Sequence, residues 1–340
     1  MKSMKQLLGG VCASALIAGG TMLASVVATS AAYAEELTVA YFLEWPTPNQ
    51  FAQVKKLYEK EMGVDIKWVS FDAGTAMSAA MASGDVQISF SQGIPPFVIA
   101  ASAGQDIQIV DVAVSYSEND NCVVRSSLEI DKSNVKDIEG KQVAVPIGTA
   151  AHYGFLKQMD HFGVDTSTMK IVDMAPADGA AAFASGNLDM VCGWGGALRR
   201  MKEHGNVLLT GAEKEQLGIQ VFDATTVSSQ WAQENSALLA KFLKVTADMN
   251  GKYAAGGDAD MLPTIAKAAG MDADATKQTL AGFVFPTIED QLSDKWLGGG
   301  TQTFLKEVGD FFVSQGTIPK ARDDYENAVD ASYLTAASKM

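Results

Sequence analysis

The sequence has little of what enzymes and metal sites require. Its 340 residues contain three histidines, His152, His161 and His204, and no paired-histidine zinc motif is present. There is also no Gly-x-Ser-x-Gly elbow, no phosphate loop and no dinucleotide fingerprint. Asp272 and Asp274 lack the glycine and distal glutamate of a calcium loop. These absences predict a protein that is not an enzyme and binds no metal or cofactor.

Basic side chains are also scarce. Lys and Arg number 26 against 40 Asp and Glu, for a net charge of -14. Phosphate binding requires a basic face, so nucleic acid is excluded as an expected partner.

Residues 1–34 have the layout of a signal peptide. Lys2 and Lys5 precede an apolar stretch at 7–28, and the run Ala32-Tyr33-Ala34 has small residues at the cleavage positions. Cleavage after Ala34 leaves 24 basic and 40 acidic side chains. The expected product is an exported, soluble chain, since no later segment is apolar enough to span a bilayer.

A retained membrane anchor is the alternative for this segment. Four glycines at 9, 10, 19 and 20 dilute its apolarity, whereas an anchor requires roughly 20 apolar residues. We also reject a lipid anchor at Cys12, because Val11 is a poor neighbour and most of the apolar stretch follows the cysteine.

Two cysteines, Cys122 and Cys192, remain after cleavage. An oxidising compartment allows one bridge between them, but their spacing does not demand it. The default prediction is two buried small hydrophobic side chains.

One ten-residue phrase occurs twice, about a hundred residues apart. AAMASGDVQI at 79–88 returns as AAFASGNLDM at 181–190, and each copy leads to a glycine, Gly93 and Gly195. An alanine-rich segment that ends on Ser-Gly is typical of a capped helix, and the apolar run after it is typical of a buried parallel strand. The repeat predicts that the chain forms the same βαβ turn twice.

Strand and helix patterns alternate around both copies. Apolar runs predict strands at 37–43, 65–71, 86–90, 107–114, 122–125, 142–146, 169–174, 188–192 and 221–228. Helical patterns separate them at 51–62, 75–82, 150–162 and 177–184. This alternation indicates an α/β fold with a doubly wound, mostly parallel sheet in each of two lobes. We expect lobe 1 to comprise 35–118 and 229–340, and lobe 2 to comprise 119–228.

The C-terminal part of the chain is helical in pattern. The predicted helices lie at 237–253, 261–269, 274–282, 301–315 and 324–337. Pro263 fits the early turn of the second of them. We expect this tail to pack over one lobe or over the hinge.

The start of the helix predicted at 150–162 is one candidate binding element. A helix start has free amide donors and a partial positive charge, and it therefore binds anions. The alternative is that Thr149 only caps the helix. The corresponding position of the first lobe has the same small, donor-rich composition. The candidates of this group are Ser91, Gln92, Gly93, Thr149, Ala150, His152 and Tyr153.

A second group of candidates is acidic and aromatic. Glu44 and Trp45 follow the first predicted strand, Trp194 follows the strand at 188–192, and Asp223 lies in the strand that leads out of the second lobe. Carboxylates and tryptophan faces in a cleft bind ammonium groups. The alternatives are core packing for the tryptophans and a hinge salt bridge for Asp223. The two sets of candidate residues together predict a ligand that carries one anionic group and one cationic group.

The segments at 71–74, 82–88, 137–146 and 149–153, together with Trp194, resemble the taurine-binding periplasmic proteins of bacterial ABC importers. Relatives in the same family bind aliphatic sulfonates and thiamine precursors. The resemblance runs from Thr38 to about Tyr325. It implies a type II periplasmic-binding-protein fold with a helical C-terminal tail. It also implies a periplasmic monomer that delivers its ligand to a permease and its ATPase subunit.

The family's site residues carry over to matching positions. The resemblance implies that an ammonium group binds Asp223 and that a sulfonate is surrounded by Ser91, Gly93, Thr149, Ala150 and His152. Two places depart from the family pattern. The Leu43-Glu44-Trp45 loop is not small and polar, and 192–195 replaces a bulkier run. An extra acid and indole at the amine end favour a different or N-substituted amine.

The prediction is therefore that the chain captures taurine by hinge closure, with crossings between the lobes near 117–122 and 227–231. Another aliphatic sulfonate or a zwitterionic methylated amine is the alternative ligand, motivated by Glu44 and Trp45. An enzyme of thiamine-precursor biosynthesis with the same fold is the alternative of a different class. Three scattered histidines and the export signal argue against that enzyme.

Overall fold

The computed structural model describes residues 36–340. The signal peptide predicted at 1–34 lies outside the described residues. Between residues 36 and 340, no helix combines the length and the apolarity that crossing a membrane requires.

The described chain contains two five-stranded sheets. In chain order the strands are β1 (Leu37–Phe42), β2 (Ile66–Phe71), β3 (Ile88–Gly93), β4 (Ile107–Ser115), β5 (Asp120–Arg125), β6 (Gln142–Val145), β7 (Lys170–Asp173), β8 (Met190–Trp194), β9 (Gly205–Val207) and β10 (Phe222–Ser228). The first sheet has the order β2-β1-β3-β10-β4, and the second has the order β7-β6-β8-β5-β9. The two orders are equivalent position by position, and each contains the βαβ turn that the repeated phrase predicted.

Each sheet is parallel over three strands only. In the first sheet β1 pairs in parallel with β2 and β3, while β10 pairs antiparallel with β3 and β4. In the second sheet β6 pairs in parallel with β7 and β8, while β5 pairs antiparallel with β8 and β9. The antiparallel strands are β10 in the first sheet and β5 in the second. Each of them follows a segment in which the chain passes from the other sheet.

The helices of the described residues cover the segments between the strands and most of the C-terminal part. They are α1 (Asn49–Val54), α2 (Leu57–Met62), α3 (Gly74–Ala82), α4 (Ile94–Ser102), α5 (Ala150–Phe162), α6 (Pro176–Ala184), α7 (Gly195–Lys202), α8 (Gly211–Gln216), α9 (Ser229–Glu234), α10 (Ser236–Lys252), α11 (Asp258–Ala269), α12 (Ala273–Ala281), α13 (Ile288–Gln291), α14 (Gly300–Ser314) and α15 (Ser332–Ala337).

The repeated phrase folds as predicted. Helices α3 and α6 both end immediately before a Ser-Gly pair. Gly84 and Gly186 have φ angles of 82° and 85°, the left-handed conformation that ends helices at glycine. Strands β3 and β8 follow the two glycines.

Three predicted helices differ from the structure. The helix at 51–62 is interrupted at Lys56, whose φ is 53°, so it forms α1 and α2. Pro263 lies inside α11 rather than in its first turn, because that helix begins at Asp258. The helix at 324–337 is reduced to a 3-10 turn at Glu326–Ala328 and to α15.

The second crossing between the sheets comes earlier than predicted. Strand β10, which the sequence assigned to lobe 2, lies between β3 and β4 in the first sheet. The chain therefore returns to the first sheet between β9 and Phe222, not near 227–231. The chain first passes from one sheet to the other at 116–119, between β4 and β5. The two crossings meet where the amide of Tyr116 donates to the carbonyl of Val221 at 3.1 Å.

The two cysteines form a disulfide, which corrects the default prediction of free buried thiols. Cys122 of β5 and Cys192 of β8 are directly opposite each other across the antiparallel pair, with their Cα atoms 3.9 Å apart. Both residues are 1% exposed. The bridge joins two neighbouring strands of the second sheet across 70 residues of sequence.

Candidate functional site

A small cavity, partly open to solvent, lies at the carboxyl ends of β1, β3, β6 and β8. This is the edge at which α/β sheets bind their ligands. We call it the interlobe cavity, because residues from both sheets line it. Its lining residues are Phe42, Trp45, Gly74, Gly93, Pro96, Tyr116, Thr149, Ala150, Trp194 and Asp223.

Asp223 provides the carboxylate of this cavity. It is 2% exposed and lies at the start of β10. The Oγ of Ser91 donates to its Oδ2 at 2.7 Å, and the hydroxyl of Tyr116 donates to its Oδ1. No lysine or arginine of residues 36–340 forms an ion pair with it. Its partners are thus neutral donors, and its charge is left without a counter-ion.

Burial sets the protonation of Asp223. Removal from water raises the pKa of this carboxyl to about 8, and the nearby charge of Asp120 also raises it, against the lowering effect of the Tyr116 and Ser91 hydrogen bonds. Asp120 is itself buried, which raises its pKa to about 6. Its Oδ2 has no hydrogen-bond partner within the described chain. A cation placed beside Asp223 would favour its ionised form.

Aromatic rings surround this carboxylate. The Nε1 of Trp45 donates to the Oγ of Ser91 at 2.8 Å. The indole is therefore linked to the Asp223 carboxylate through the Ser91 hydroxyl. The Trp45 ring lies 4.6 Å from that of Tyr116. The rings of Phe42 and Trp194 lie 6.0 Å apart. All four rings line the cavity that contains Asp223.

Helix starts form the rest of the cavity. Gly74, Gly93, Thr149 and Trp194 are each the N-cap or first residue of a helix, in α3, α4, α5 and α7 respectively. At α5, the Oγ1 of Thr149 accepts from the amide of His152 at 3.4 Å. The amides of the two preceding residues, Ala150 and Ala151, have no partner within the helix. Their donors and the helix dipole favour an anion at this end.

The two sheets approach closely around the cavity. A Cβ built on Gly93 would lie 3.9 Å from that of Ala150 on the other side. A Cβ on Gly195 would lie 2.5 Å from the carbonyl oxygen of Glu44. The amide of Gly196 donates to that same carbonyl at 3.1 Å. The described conformation therefore has its lobes in contact.

Glu44 belongs to this contact and not to the interlobe cavity. Its carboxylate accepts two hydrogen bonds from Nη1 of Arg200 in α7, at 3.0 and 2.9 Å. Glu44 instead lines a larger neighbouring cavity, which shares Phe42 and Trp194 with the interlobe cavity. Its charge is therefore paired with Arg200 in this conformation, and its predicted place at the amine end stays a prediction.

Gln92 also lies outside the cavity. Its Nε2 donates to the carbonyl of Gly74 at 2.9 Å and to Ser78 at 2.7 Å. Its Oε1 accepts from the hydroxyl of Thr226 at 2.7 Å. This side chain ties β3 to α3 and β10 within the first sheet and its helices.

His152 and Tyr153 face away from the cavity as well. The Nδ1 of His152 accepts from the amide of Gly148 at 3.2 Å, and burial lowers the pKa of the ring to about 4. Tyr153 packs edge-on against Phe304 and Phe311 of α14. Burial also raises the pKa of the Tyr153 hydroxyl above its ordinary value. Of the residues at the start of α5, Thr149 and Ala150 line the cavity, and His152 and Tyr153 do not.

The structure therefore divides the predicted site residues into three sets. Six of them line the interlobe cavity: Trp45, Gly93, Thr149, Ala150, Trp194 and Asp223. Ser91 does not line the cavity but forms hydrogen bonds with two residues that do, Trp45 and Asp223. Four lie elsewhere: Glu44, Gln92, His152 and Tyr153.

Sequence reasoning missed Phe42, Gly74, Pro96 and Tyr116. Tyr116 follows β4 and reaches Asp223 across 107 residues of sequence, a contact that no local pattern indicates. Phe42 is the next-to-last residue of the strand predicted at 37–43, so its place near a strand's carboxyl end was a usable indication. Within residues 36–340 no cluster of three or more His, Cys, Asp or Glu side chains is arranged to hold a metal ion.

Comparison with known proteins gives one family and one fold. A model of the family described as NMT1/THI5 like matches residues 47–255. The taurine-binding periplasmic protein of Escherichia coli (strain K12) is 27% identical over 308 residues, which cover 89% of this chain and 94% of that protein.

Two solved structures share the fold. The alkanesulfonate-binding protein SsuA from Xanthomonas axonopodis pv. citri, bound to MOPS, has a TM-score of 0.72 at 22% identity and covers 87% of this chain and 98% of its own. The desulfurization enzyme DSZB has a TM-score of 0.63 at 13% identity and covers 89% and 99%. The predicted periplasmic-binding-protein fold is confirmed, and this fold is used by both binding proteins and an enzyme.

Proposed function

Since the chain belongs to the NMT1/THI5-like family, we propose that it is the solute-binding protein of an ABC importer for taurine or a closely related aminosulfonate. Asp223 carries this proposal. It is a buried carboxylate that lines the interlobe cavity and has neutral partners. An ammonium group is the ligand feature that such a carboxylate binds most favourably.

The other end of the cavity suits the sulfonate. Thr149 and Ala150 begin α5, and their surroundings offer amide donors with a partial positive charge. A sulfonate stays ionised at physiological pH, so donors fixed in place serve it without any proton transfer. The cavity thus has an ammonium end at Asp223 and an anion end at the start of α5. Taurine has both groups, separated by two carbons.

Capture occurs by closure of two lobes, one built on each sheet. Lobe 1 comprises residues 36–115 and 222–340, and lobe 2 comprises 120–207, with the crossings at 116–119 and 208–221 between them. The pair of Glu44 and Arg200 bridges the closed cleft. The closed form, a monomer in the periplasm, docks on the permease and its ATPase subunit.

The lining of the cavity favours binding over catalysis. No histidine and no cysteine lies among the residues that line it. The two cysteines of the described residues are joined to each other, so neither supplies a nucleophilic thiolate. A disulfide also suits the oxidising compartment to which a signal peptide would deliver the chain.

Isothermal titration of the mature chain with taurine and with ethanesulfonate tests the proposal. Taurine is expected to bind at micromolar concentrations, and ethanesulfonate, which has no amine, at least about ten-fold more weakly, since it leaves Asp223 unpaired. In the Asp223→Asn variant the two ligands should bind alike. No heat at millimolar taurine would contradict the taurine assignment. Equal affinities in the wild type would contradict the ammonium site at Asp223.

A further inference from the structure

The ammonium end of the interlobe cavity combines one carboxylate with four aromatic rings. Trp45, Tyr116, Phe42 and Trp194 line the same space as Asp223. Two of these rings are joined to the carboxylate by hydrogen bonds, Tyr116 directly and Trp45 through Ser91. A cation next to Asp223 is therefore next to aromatic rings as well.

The hydrogen-bond acceptors at this end are few. A primary ammonium has three N–H donors, whereas a carboxylate has about four lone-pair positions. Two positions on Asp223 are already taken by Ser91 and Tyr116. Thr149, the aliphatic hydroxyl side chain of the lining, uses its proton on the carbonyl of Pro146 at 2.6 Å and lies at the anion end. A primary ammonium that bonds both free positions of Asp223 thus keeps one N–H, for which the hydroxyl oxygen of Tyr116 is the remaining side-chain acceptor beside Asp223.

A methylated ammonium matches this lining better. Each methyl group removes one N–H donor and adds apolar surface that contacts the rings. The positive charge remains, and aromatic faces attract it together with the carboxylate. Recognition of methylated and quaternary ammonium groups by aromatic cages has this same composition of rings and acid.

We propose that the interlobe cavity selects an N-methylated aminosulfonate, with two or three methyl groups on nitrogen, over taurine itself. The ammonium lies against Asp223 within the aromatic cage formed by Phe42, Trp45, Tyr116 and Trp194. The sulfonate lies at the start of α5. This inference rests on the proposed function, since it specifies the ligand of the same site.

Titration calorimetry with taurine and its N-methyl, N,N-dimethyl and N,N,N-trimethyl derivatives tests this selectivity. The affinity is expected to rise with methylation, by about ten-fold from taurine to the better of the last two. Affinity that stays equal or falls with each methyl group would overturn the inference and leave the proposed function standing. Absence of binding by all four compounds would overturn both.

A second measurement assigns the selectivity to the cage. Trp194 is partly exposed and comes from the second sheet, so Trp194→Leu removes one wall without opening the core. The ratio of trimethyl to taurine affinity is expected to fall toward one in this variant. The control is Trp231→Leu, a partly buried tryptophan of α9 that does not line the cavity, which should keep the wild-type ratio. Because folding effects act on both ligands alike, an unchanged ratio in Trp194→Leu would contradict the cage.

Discussion

Ser91 donates a hydrogen bond of 2.7 Å from its Oγ to Oδ2 of Asp223, across 132 residues of sequence. Ser91 has a φ of 61°, a left-handed conformation that is uncommon outside glycine. The same Oγ accepts from the indole of Trp45. The hydroxyl thus orients the carboxylate and joins it to the aromatic wall. Ser91 acts on the ligand through Asp223.

Taurine binding should depend on pH because of this carboxylate. Burial raises the pKa of Asp223 to about 8, so the unliganded carboxyl is largely protonated at pH 7, while the ammonium requires the ionised form. Below pH 8 the affinity should fall by up to about ten-fold per pH unit, until the pKa of the complex is reached. Above pH 8 it should level off. Titration calorimetry from pH 5 to 8 measures this slope, with Asp223→Asn as the control that removes the titration of Asp223.

Removing the Ser91 hydroxyl should move that profile. Its hydrogen bond lowers the pKa of Asp223, so Ser91→Ala should shift the rise in affinity to higher pH. A flat profile in the wild type would contradict the protonation of Asp223 in the unliganded state.

A single methyl group on Gly93 should block the cavity. The backbone at Gly93 has φ -62° and ψ 148°, which alanine adopts freely. The new Cβ would lie 3.5 Å from Oδ1 of Asp223 and 3.9 Å from Cβ of Ala150, which are ordinary contact distances inside the ligand space. Gly93→Ala should therefore fold with wild-type stability and lose taurine affinity by at least about ten-fold.

The control for this prediction is Gly251→Ala. That glycine lies in α10 with nothing within 4 Å of a built Cβ, so its variant should bind taurine normally. Unchanged binding by Gly93→Ala would place the ligand elsewhere.

The ion pair of Glu44 and Arg200 should stabilise the closed form modestly. It joins the loop after β1 to α7, and both side chains are about one-third exposed. Exposed pairs contribute about 0.2–1 kcal/mol, so Arg200→Gln should weaken taurine binding by roughly two- to five-fold at low salt, mainly through faster dissociation. High salt should remove the difference. Stopped-flow measurement of taurine release gives the dissociation rate of each protein at both salt concentrations.

The neighbouring Arg199 provides a matched control. It pairs with Glu203, the C-cap residue of α7, at 2.9 Å and makes no ion pair with the first sheet. Arg199→Gln should release taurine at the wild-type rate. Equal effects of the two substitutions would contradict the bridging role.

The disulfide should contribute to stability and not to selectivity. Replacing Cys122 and Cys192 together by alanine removes a cross-link between β5 and β8, which should lower the free energy of unfolding by about 2–4 kcal/mol. Neither cysteine lines the cavity, so taurine affinity should stay within about two-fold. Urea denaturation followed by titration checks both statements. Wild-type stability in the double variant would contradict the structural role.

Local patterns predicted much of the fold. The Ser-Gly endings of the repeated phrase give the boundaries of α3 and α6 because a helix end at glycine is a local event. The position of β10 was not predictable in this way. Its pairing with β3 and β4 joins segments more than a hundred residues apart, and a single sequence contains no record of such contacts. The boundary of the second lobe was therefore misplaced.

The candidate site, like the fold, was predictable where local sequence features restrict a residue's role and not where long-range contacts do. Asp223 and Thr149 could be found because residue type and position at a strand or helix end restrict their roles. Glu44 looked equally suitable, but Arg200, 156 residues away, already neutralises it. Tyr116 had no local indication, since its hydroxyl meets Asp223 only when the two crossings are side by side. Long-range partners decide which polar groups remain for a ligand.

A crystal structure of the mature chain with bound taurine tests the central claim most directly. The account predicts the ammonium nitrogen within hydrogen-bond distance of the Asp223 carboxylate, about 3 Å, between the rings of Trp45, Tyr116 and Trp194. It predicts the sulfonate oxygens at the amides that begin α5. A taurine bound in the reverse orientation, or outside the interlobe cavity with Asp223 still bonded only to Ser91 and Tyr116, would contradict it.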